Sequence, residues 1–353
     1  MKLFGGKKDL IGLDIGSNSV KIVQISHTRK GLQLKNLGIT GLAHGCISDG
    51  SIQDPDTTLE GVRNLLDHLK IRVKYVATSL SGHAVIIKKA SLPSMPQEEL
   101  EKNVIFEAEP YIPFDIEDVN IDFHIIGPDE RDPDKMEVLL IAAKRDAVDQ
   151  YANIVEATGL TPIIMDVECL ALANAYETNY PPEEEGSLVL VDIGAEKMTI
   201  NVIKEEIPIF VKEVPLGGYQ ITQQIQSAYS MEYQEAENLK IGGTTDQAQL
   251  KKLEEILVSI TPTWADEIKQ VVDLISTTRP KDVVKKIVLS GGSSRIRGLD
   301  KLINMKTNVP VEILNPFSNI HYDEKVFDRE YVEYMGPQVA ICVGLALRSM
   351  DEK

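Results

Sequence analysis

One pattern occurs twice in this 353-residue chain and restricts its fold more than any other feature. Residues 11–23 read IGLDIGSNSVKIV, and residues 188–203 read LVLVDIGAEKMTINVI. Each copy sets an apolar run before Asp-Ile-Gly and an alternating apolar run after it, which predicts a β-hairpin around a short polar turn. Walker and dinucleotide loops pass from a strand straight into a helix N-terminus, so they do not fit. Two copies about half a chain apart predict two related halves.

The first turn has a composition that suits phosphate. Gly16 lets the backbone approach closely or take a positive φ angle. Ser17, Asn18 and Ser19 offer hydroxyl, amide and backbone donors, and Lys21 adds a positive charge. Asp14 cannot face phosphate comfortably without a cation between them, which suggests magnesium held through water. Asp192 and Gly194 answer Asp14 and Gly16, so a nucleoside triphosphate between the hairpins would meet an acidic residue from each. A single turn of this kind is also an ordinary hairpin turn, and it is the repeat that favours a site.

Composition excludes several alternatives. A net charge of −17 argues against nonspecific nucleic-acid binding, which needs a basic footprint, and against broad adsorption on anionic lipid. No apolar run approaches the ~20 residues that span a bilayer, and Leu3 and Phe4 give way to glycines and charge instead of a signal-peptide core. Lys2, Lys7 and Lys8 read as a solvated tail. Cys46, Cys169 and Cys342 are scattered, which indicates neither a disulfide framework nor a metal knuckle. The expectation is a cytoplasmic protein with no direct membrane insertion.

Taken in order, the first half continues with a strand over 31–37, a helix over 54–70 opening at Asp54-Pro55, and a strand over 75–81. Residues 84–165 then read strand, helix, strand, strand, helix, strand, the order of a ferredoxin-like module, here an insert. Within it, the two prolines of EAEPYIPF hold Tyr111, Ile112 and Phe114 in an extended loop. That loop is either folded over its own core or one wall of an apolar groove for a partner peptide, and the surrounding carboxylates favour a basic partner. Asp166 ends a strand before a helix, where it caps that helix or polarises the water that attacks a γ-phosphate. YPPEEEG, residues 180–186, reads as a linker.

In the second half, Gly217-Gly218 starts a helix and is either a plain turn or a helix N-terminus bared to phosphate. Glu237 and Lys240 share a helix face, as a surface ion pair or as contacts to a ribose or adenine. A long helix over 250–278 is expected to break at Thr261-Pro262. The strand 286–290 runs into SGGSSRIRGL, where Gly291, Gly292 and Ser293 let a flat ring lie against bare backbone, with Gly298 a second close approach.

Together these residues resemble the actin/heat-shock ATPase/sugar kinase superfamily. The two hairpins resemble its phosphate-1 and phosphate-2 motifs, VLSGGSSRIRGL its adenosine motif, and MDVECLALANAY and GPQVAICVGLAL its connecting helices. The insert, GGYQITQQI and EAENLK resemble the FtsA branch, while DIGSNSVK, EAEPYIPF and the absence of a long C-terminal amphipathic tail look closest to the PilM family of type IV pilus assembly. That resemblance implies an actin-like, ribonuclease H-like duplicated α/β fold with a ferredoxin-like inserted subdomain. The halves are 1–83 and 186–335, the latter with a helical subdomain over 226–284. The insert is 84–165, the connecting helix and linker 166–185, and the C-terminal helix 336–353.

The resemblance further implies ATP with magnesium, Asp14 and Asp192 ordering the metal through water. Gly16 to Ser19, Lys21, Gly194 and Thr199 would meet phosphate, with Gly217 and Gly218 nearby. Glu237 and Lys240 would face the ribose or base, and Gly291, Gly292, Ser293 and Gly298 would border the adenosine. Glu196, Lys197 and Met198 stand where strong ATPases carry small or hydroxylated residues, which implies at most slow hydrolysis and a correspondingly reduced part for Asp166 as a catalytic residue. The implied partners are the cytoplasmic N-terminal segment of the inner-membrane protein PilN, other inner-membrane and motor components of the pilus, and further copies of the chain in a ring. An FtsA-like filament ATPase and a small-molecule kinase of the same superfamily are the competing readings.

Overall fold

In the computed structural model, which describes residues 9–129, 131–182 and 186–349, both expected hairpins are present. Lys2, Lys7 and Lys8, Glu183 to Glu185 of the linker, and residues 350–353 at the chain's end lie outside the described residues. The described residues divide into two compact units, one drawn from residues 9–27, 35–171 and 345–349 and the other from residues 28–34 and 172–344.

The first unit opens with β1 (Leu10–Ile15), β2 (Ser19–Thr28) and β3 (Gly31–Gly41), followed by the two-residue strands β4 (Ile47–Ser48) and β5 (Ser51–Ile52). Helix α1 (Pro55–Leu69) starts as expected: the Asp54 carboxylate accepts the Thr57 amide at 3.0 Å, and Pro55 occupies the first helical position. Its Val62 and Leu65 are buried against the sheet that β6 (Tyr75–Leu80) joins in parallel with β1.

The insert differs from expectation at its end. β7 (Val85–Pro93), α2 (Gln97–Ala108), β8 (Val119–Pro128) and β9 (Lys135–Lys144) form a three-stranded antiparallel sheet, order β7-β9-β8. Leu100, Val104 and Ala108 pack α2 on it at helical spacing. The last helix and strand of the expected six-element module, α3 (Arg145–Ala157) and β10 (Thr161–Val167), join the first half instead. β10 pairs in parallel with β6 and completes the sheet β10-β6-β1-β2-β3, and Tyr151, Ile154 and Val155 of α3 are buried in its core. The apolar face of α3 has no counterpart on the insert's sheet, whose core is already closed by α2.

Helix α4 (Glu168–Asn179) leads to the second sheet, order β13-β12-β11-β14-β15. It is built from β11 (Ser187–Ile193), β12 (Met198–Lys204) and β13 (Ile207–Val214), then β14 (Val284–Ser290) and β15 (Val311–Ile313). Between β13 and β14 lie α5 (Gly218–Tyr229), α6 (Tyr233–Lys240) and α7 (Gln247–Thr278). α8 (Leu299–Thr307), α9 (Arg329–Met335) and α10 (Ala340–Ala346) complete the chain. The expected break at Pro262 does not occur, and α7 runs for 32 residues through it. Proline removes one backbone bond, whereas Trp264, Ala265 and Ile268 immediately beyond it are fully buried and hold the second part in line.

Candidate functional site

The two hairpins repeat in register as well as in sequence. Asp14 lies opposite Lys21 and Asp192 opposite Thr199, each the last pair but one of its ladder before the turn. In the first turn the Gly16 amide donates to the Ser19 carbonyl at 3.0 Å, and in the second the Gly194 amide donates to the Lys197 carbonyl at 2.9 Å. Neither glycine has positive φ, so each serves close approach rather than left-handed backbone. A Cβ on Gly16 would stand 3.1 Å from Lys21 Nζ, and one on Gly194 3.2 Å from the Lys197 oxygen.

Each aspartate sits at the carboxyl end of its strand, where open α/β sheets receive ligands. Asp14 is buried and takes the Lys21 ammonium at 2.9 Å, so that lysine is held across the turn. Asp192 accepts the Ser290 hydroxyl at 2.6 Å from the adjacent parallel strand. Among the described residues no group of three or more His, Cys, Asp or Glu could enclose a metal.

Asp166, also at a strand end, is level with Ser79 of β6. It is buried, its Oδ1 accepts the Val167 amide at 2.8 Å, and Arg348 Nε stands 3.2 Å from Oδ2. No spacing in the sequence links Arg348 to this position.

Around the second turn, backbone meets backbone. The Gly218 and Tyr219 amides at the start of α5 donate to the Gly194 and Ala195 carbonyls at 3.0 and 2.7 Å. The helix start is thus docked on the hairpin turn, and a Cβ on Gly217 would fall 2.5 Å from the Ala195 oxygen. Gly291, at φ 84°, crosses Ile193 so closely that a Cβ would lie 2.4 Å from its oxygen, and Ser293 Oγ donates to the Gly194 carbonyl at 3.0 Å. Gly298, at φ 86°, has no protein atom within 4 Å of the place a Cβ would take, and it serves as the left-handed residue before α8.

Glu237 and Lys240 are not a surface pair. They meet at 2.6 Å with side chains only 12% and 14% exposed. The Thr222 hydroxyl of α5 donates to Glu237 at 2.7 Å and accepts from Lys240 at 3.0 Å, and Lys240 also reaches the Gly218 carbonyl at 3.3 Å. Burial lowers the Lys240 pKa, while Glu237 pulls it the other way. Near Gly292 stands Arg295, which no motif in the sequence marks. Its guanidinium lies 4.0 Å over the Tyr334 ring and donates to Gln338 Oε1 at 2.8 Å, and a Cβ on Gly292 would touch that same Gln338.

The family profile described as Type IV pilus assembly protein PilM matches residues 12–350. The chain belongs to the PilM family. A solved structure described as the PilM-PilN type IV pilus biogenesis complex is 27% identical to it, with a TM-score of 0.84 over 97% of this chain and 99% of that one. The cell division protein FtsA of Bacillus subtilis (strain 168) is 23% identical over 377 residues, which is 95% of this chain and 82% of FtsA. MreB5 of Spiroplasma citri bound to ADP shares the fold at 14% identity, with a TM-score of 0.52 covering 96% and 94% of the two chains. The PilM-family chain therefore has the actin-like duplicated fold, its two mixed sheets each opened by one of the repeated hairpins.

The expected peptide residues of this PilM-family protein lie in the insert, turned onto its own core. Ile112 is buried, and Tyr111 and Phe114 are half-buried against the α2-covered sheet face. The Tyr111 hydroxyl donates to the Ser91 carbonyl at 3.1 Å, and Lys144 Nζ lies 4.7 Å over the Phe114 ring. The large apolar side chains of the insert that face outward are Ile105 and Phe106 of α2, 57% and 75% exposed. Among the described residues no helix is long and apolar enough to cross a membrane.

Proposed function

We propose that this protein is a nucleotide-binding adaptor of the type IV pilus machine. It takes ATP with magnesium, and it binds the N-terminal cytoplasmic segment of PilN, linking that inner-membrane protein to the motor components. The observation that supports nucleotide binding is the repeat of one hairpin geometry, with an aspartate, a close-approach glycine and an in-turn hydrogen bond in each copy. Asp14 and Asp192 would order magnesium through water, and the turn at Gly16 to Ser19 with Lys21, together with Gly194 and Thr199, would contact phosphate. Gly217 and Gly218 shape the second turn. Glu237 and Lys240 would face the ribose or base, and Gly291, Gly292 and Ser293 the adenosine. Asp166, tethered to Arg348, would have at most a minor part in slow hydrolysis.

Calorimetric titration with ATP, with and without magnesium, tests the nucleotide. Asp192→Asn keeps an acceptor for Ser290 and is expected to weaken magnesium-dependent affinity by about ten- to a hundredfold, the effect of losing an outer-shell partner of a metal. Equal affinity in the variant would remove Asp192 from the site.

The support for PilN is the likeness to the PilM-PilN complex along nearly the whole chain. Because Tyr111, Ile112 and Phe114 serve the insert's interior, the proposed contact moves to Ile105 and Phe106, flanked by Glu98, Glu99, Glu101 and Glu109. Aromatic anchors dominate such contacts. Phe106→Ala is expected to weaken binding of a synthetic PilN N-terminal peptide by about ten- to thirtyfold while leaving the melting temperature unchanged. Unchanged peptide affinity, measured by fluorescence anisotropy, would place the contact elsewhere.

A further inference from the structure

The insert's sheet has the order β7-β9-β8, so among the described residues β8 pairs on one side only, with β9. The other edge strands of the three larger sheets are blunted. β7 carries Lys88 and Lys89, β3 Lys35, β10 Pro162, and β13 Pro208 and Lys212, while β15 is three residues long. Lysine, proline and shortness each keep a second chain from adding to an edge. β8 has ten residues, and its stretch 119–127, VNIDFHIIG, contains no lysine, arginine or proline. A bulge between Ile125 and Gly127 bounds the regular part at 119–125.

The backbone on that edge has a definite phase. The Phe123 amide donates to the Asp122 carboxylate at 2.8 Å, and the Val119 carbonyl accepts Arg145 Nε at 3.2 Å. Both groups belong to odd-numbered residues, whose backbone faces the open edge while the even-numbered residues bond β9. The side chains alternate in the same way. Ile121, Phe123 and Ile125 turn to the α2-covered core and are only partly buried, and Asn120, Asp122 and His124 are exposed on the opposite face.

We propose that β8 pairs antiparallel with β8 of a second copy of this chain, Phe123 opposite the partner's Phe123, joining two three-stranded inserts into one continuous sheet. The strand is complementary to itself in that register. Ile121 falls opposite the partner's Ile125, and the odd-numbered pairs exchange backbone hydrogen bonds. Asp122 falls opposite the partner's His124 on both sides of the two-fold axis, in the pairs whose side chains stand closest. A histidine ring offers a carboxylate an N–H whether it is neutral or charged. Moving the axis by one residue would set Asp122 against Asp122 or His124 against His124, so charge selects a single register. The Asp122 carboxylate, now spent on its own backbone, passes to that histidine as the partner's carbonyl takes the Phe123 amide. The same patch serves both copies, so the contact closes at a dimer. It uses neither nucleotide nor the outward residues of α2, so the failure of those readings leaves it standing, and the reverse.

Sedimentation velocity of the full chain at rising concentration tests this, and a monomer–dimer equilibrium is expected. Asp122→Lys and His124→Glu are each expected to weaken self-association about tenfold, because each sets two unfavourable pairs across the axis. Mixed in equal amounts, the two variants should recover a dimer close to native strength. The new lysine then faces the new glutamate on one side of the axis, and the original Asp122 and His124 still meet on the other. Hydrogen exchange followed by NMR should show the Ile121, Phe123 and Ile125 amides gaining protection severalfold with concentration, while those of Asn120, Asp122 and His124 stay unchanged. Should a substitution disturb the sheet, this alternation in the unaltered protein still decides. A chain that stays monomeric throughout, a dimer that both substitutions leave intact, or a mixture no tighter than either variant alone would each overturn the assignment.

Discussion

Gly291→Ala is expected to lower the melting temperature by about 6–12 °C and to reduce ATP affinity with it. Two costs combine. At φ 84° and ψ 162° the residue occupies a region that is essentially closed to side chains, and a Cβ would stand 2.4, 2.6 and 2.7 Å from three backbone atoms of Ile193. Strain of ~1–3 kcal/mol and displacement of a central strand give at least about 3 kcal/mol, and each kcal/mol shifts the midpoint by about 2–4 °C. Because Ile193 leads directly into Gly194, the displacement reaches the second turn and the Ser293 bond to it. Gly298→Ala is the control: it has the same sign of φ with open space around it, so only ~1–2 kcal/mol is expected, without loss of ATP affinity. Calorimetric melting of both variants checks the contrast, and similar losses would show that φ alone decides.

Glu237→Ala is expected to destabilise the protein by about 3 kcal/mol at pH 7. Breaking a buried pair from one side leaves the other charge without compensation, which costs far more than removing both. Lys240 would keep Thr222 and the Gly218 carbonyl but lose its counter-charge. The double variant Glu237→Leu with Lys240→Met should recover at least half of the loss, and denaturant midpoints through the cycle measure the coupling. The pH dependence has a definite sign. The folded-state pKa of Lys240 is already lowered from 10.5 by burial, and losing Glu237 lowers it further. In the window below 10.5 the unfolded chain then binds more protons, so stability rises with pH and the single variant's deficit narrows toward pH 10. A deficit that is flat across that range would mean that lost packing is responsible.

Local chemistry was legible in the sequence, and long-range placement was not. Asp54-Pro55, Gly16 and the alternation from Val20 onward each specify their own surroundings, so α1 and both hairpins follow from a few consecutive residues. β10 was legible as a strand but not as a neighbour of β6, because an apolar strand reads alike whichever parallel partner it finds. For the same reason the sequence of α3 reads as part of the insert, although its buried Tyr151, Ile154 and Val155 belong to the core of the first sheet. The three-residue spacing of Glu237 and Lys240 identified the pair, but its burial depends on Gly218 and Thr222 of another helix. Pro262 misled because a proline reports one missing bond, whereas Trp264, with its Nε1 donating to Gln220 at 3.0 Å, decides whether the helix goes on. The tie between Asp166 and Arg348 spans most of the sequence, and neither residue signals the other.

The way the insert is rooted bears on how such a protein can change. Val85 of its first strand lies directly opposite Ala143 of its last, so the chain leaves the first half and returns to it at adjacent points. The sheet containing β6 and β10 therefore treats everything between as a closed excursion, and the entropy of closing such an excursion rises by only about 0.6 kcal/mol for each doubling of its length. A lineage can lengthen, shorten or rewrite this appendage while the scaffold beneath keeps its registers.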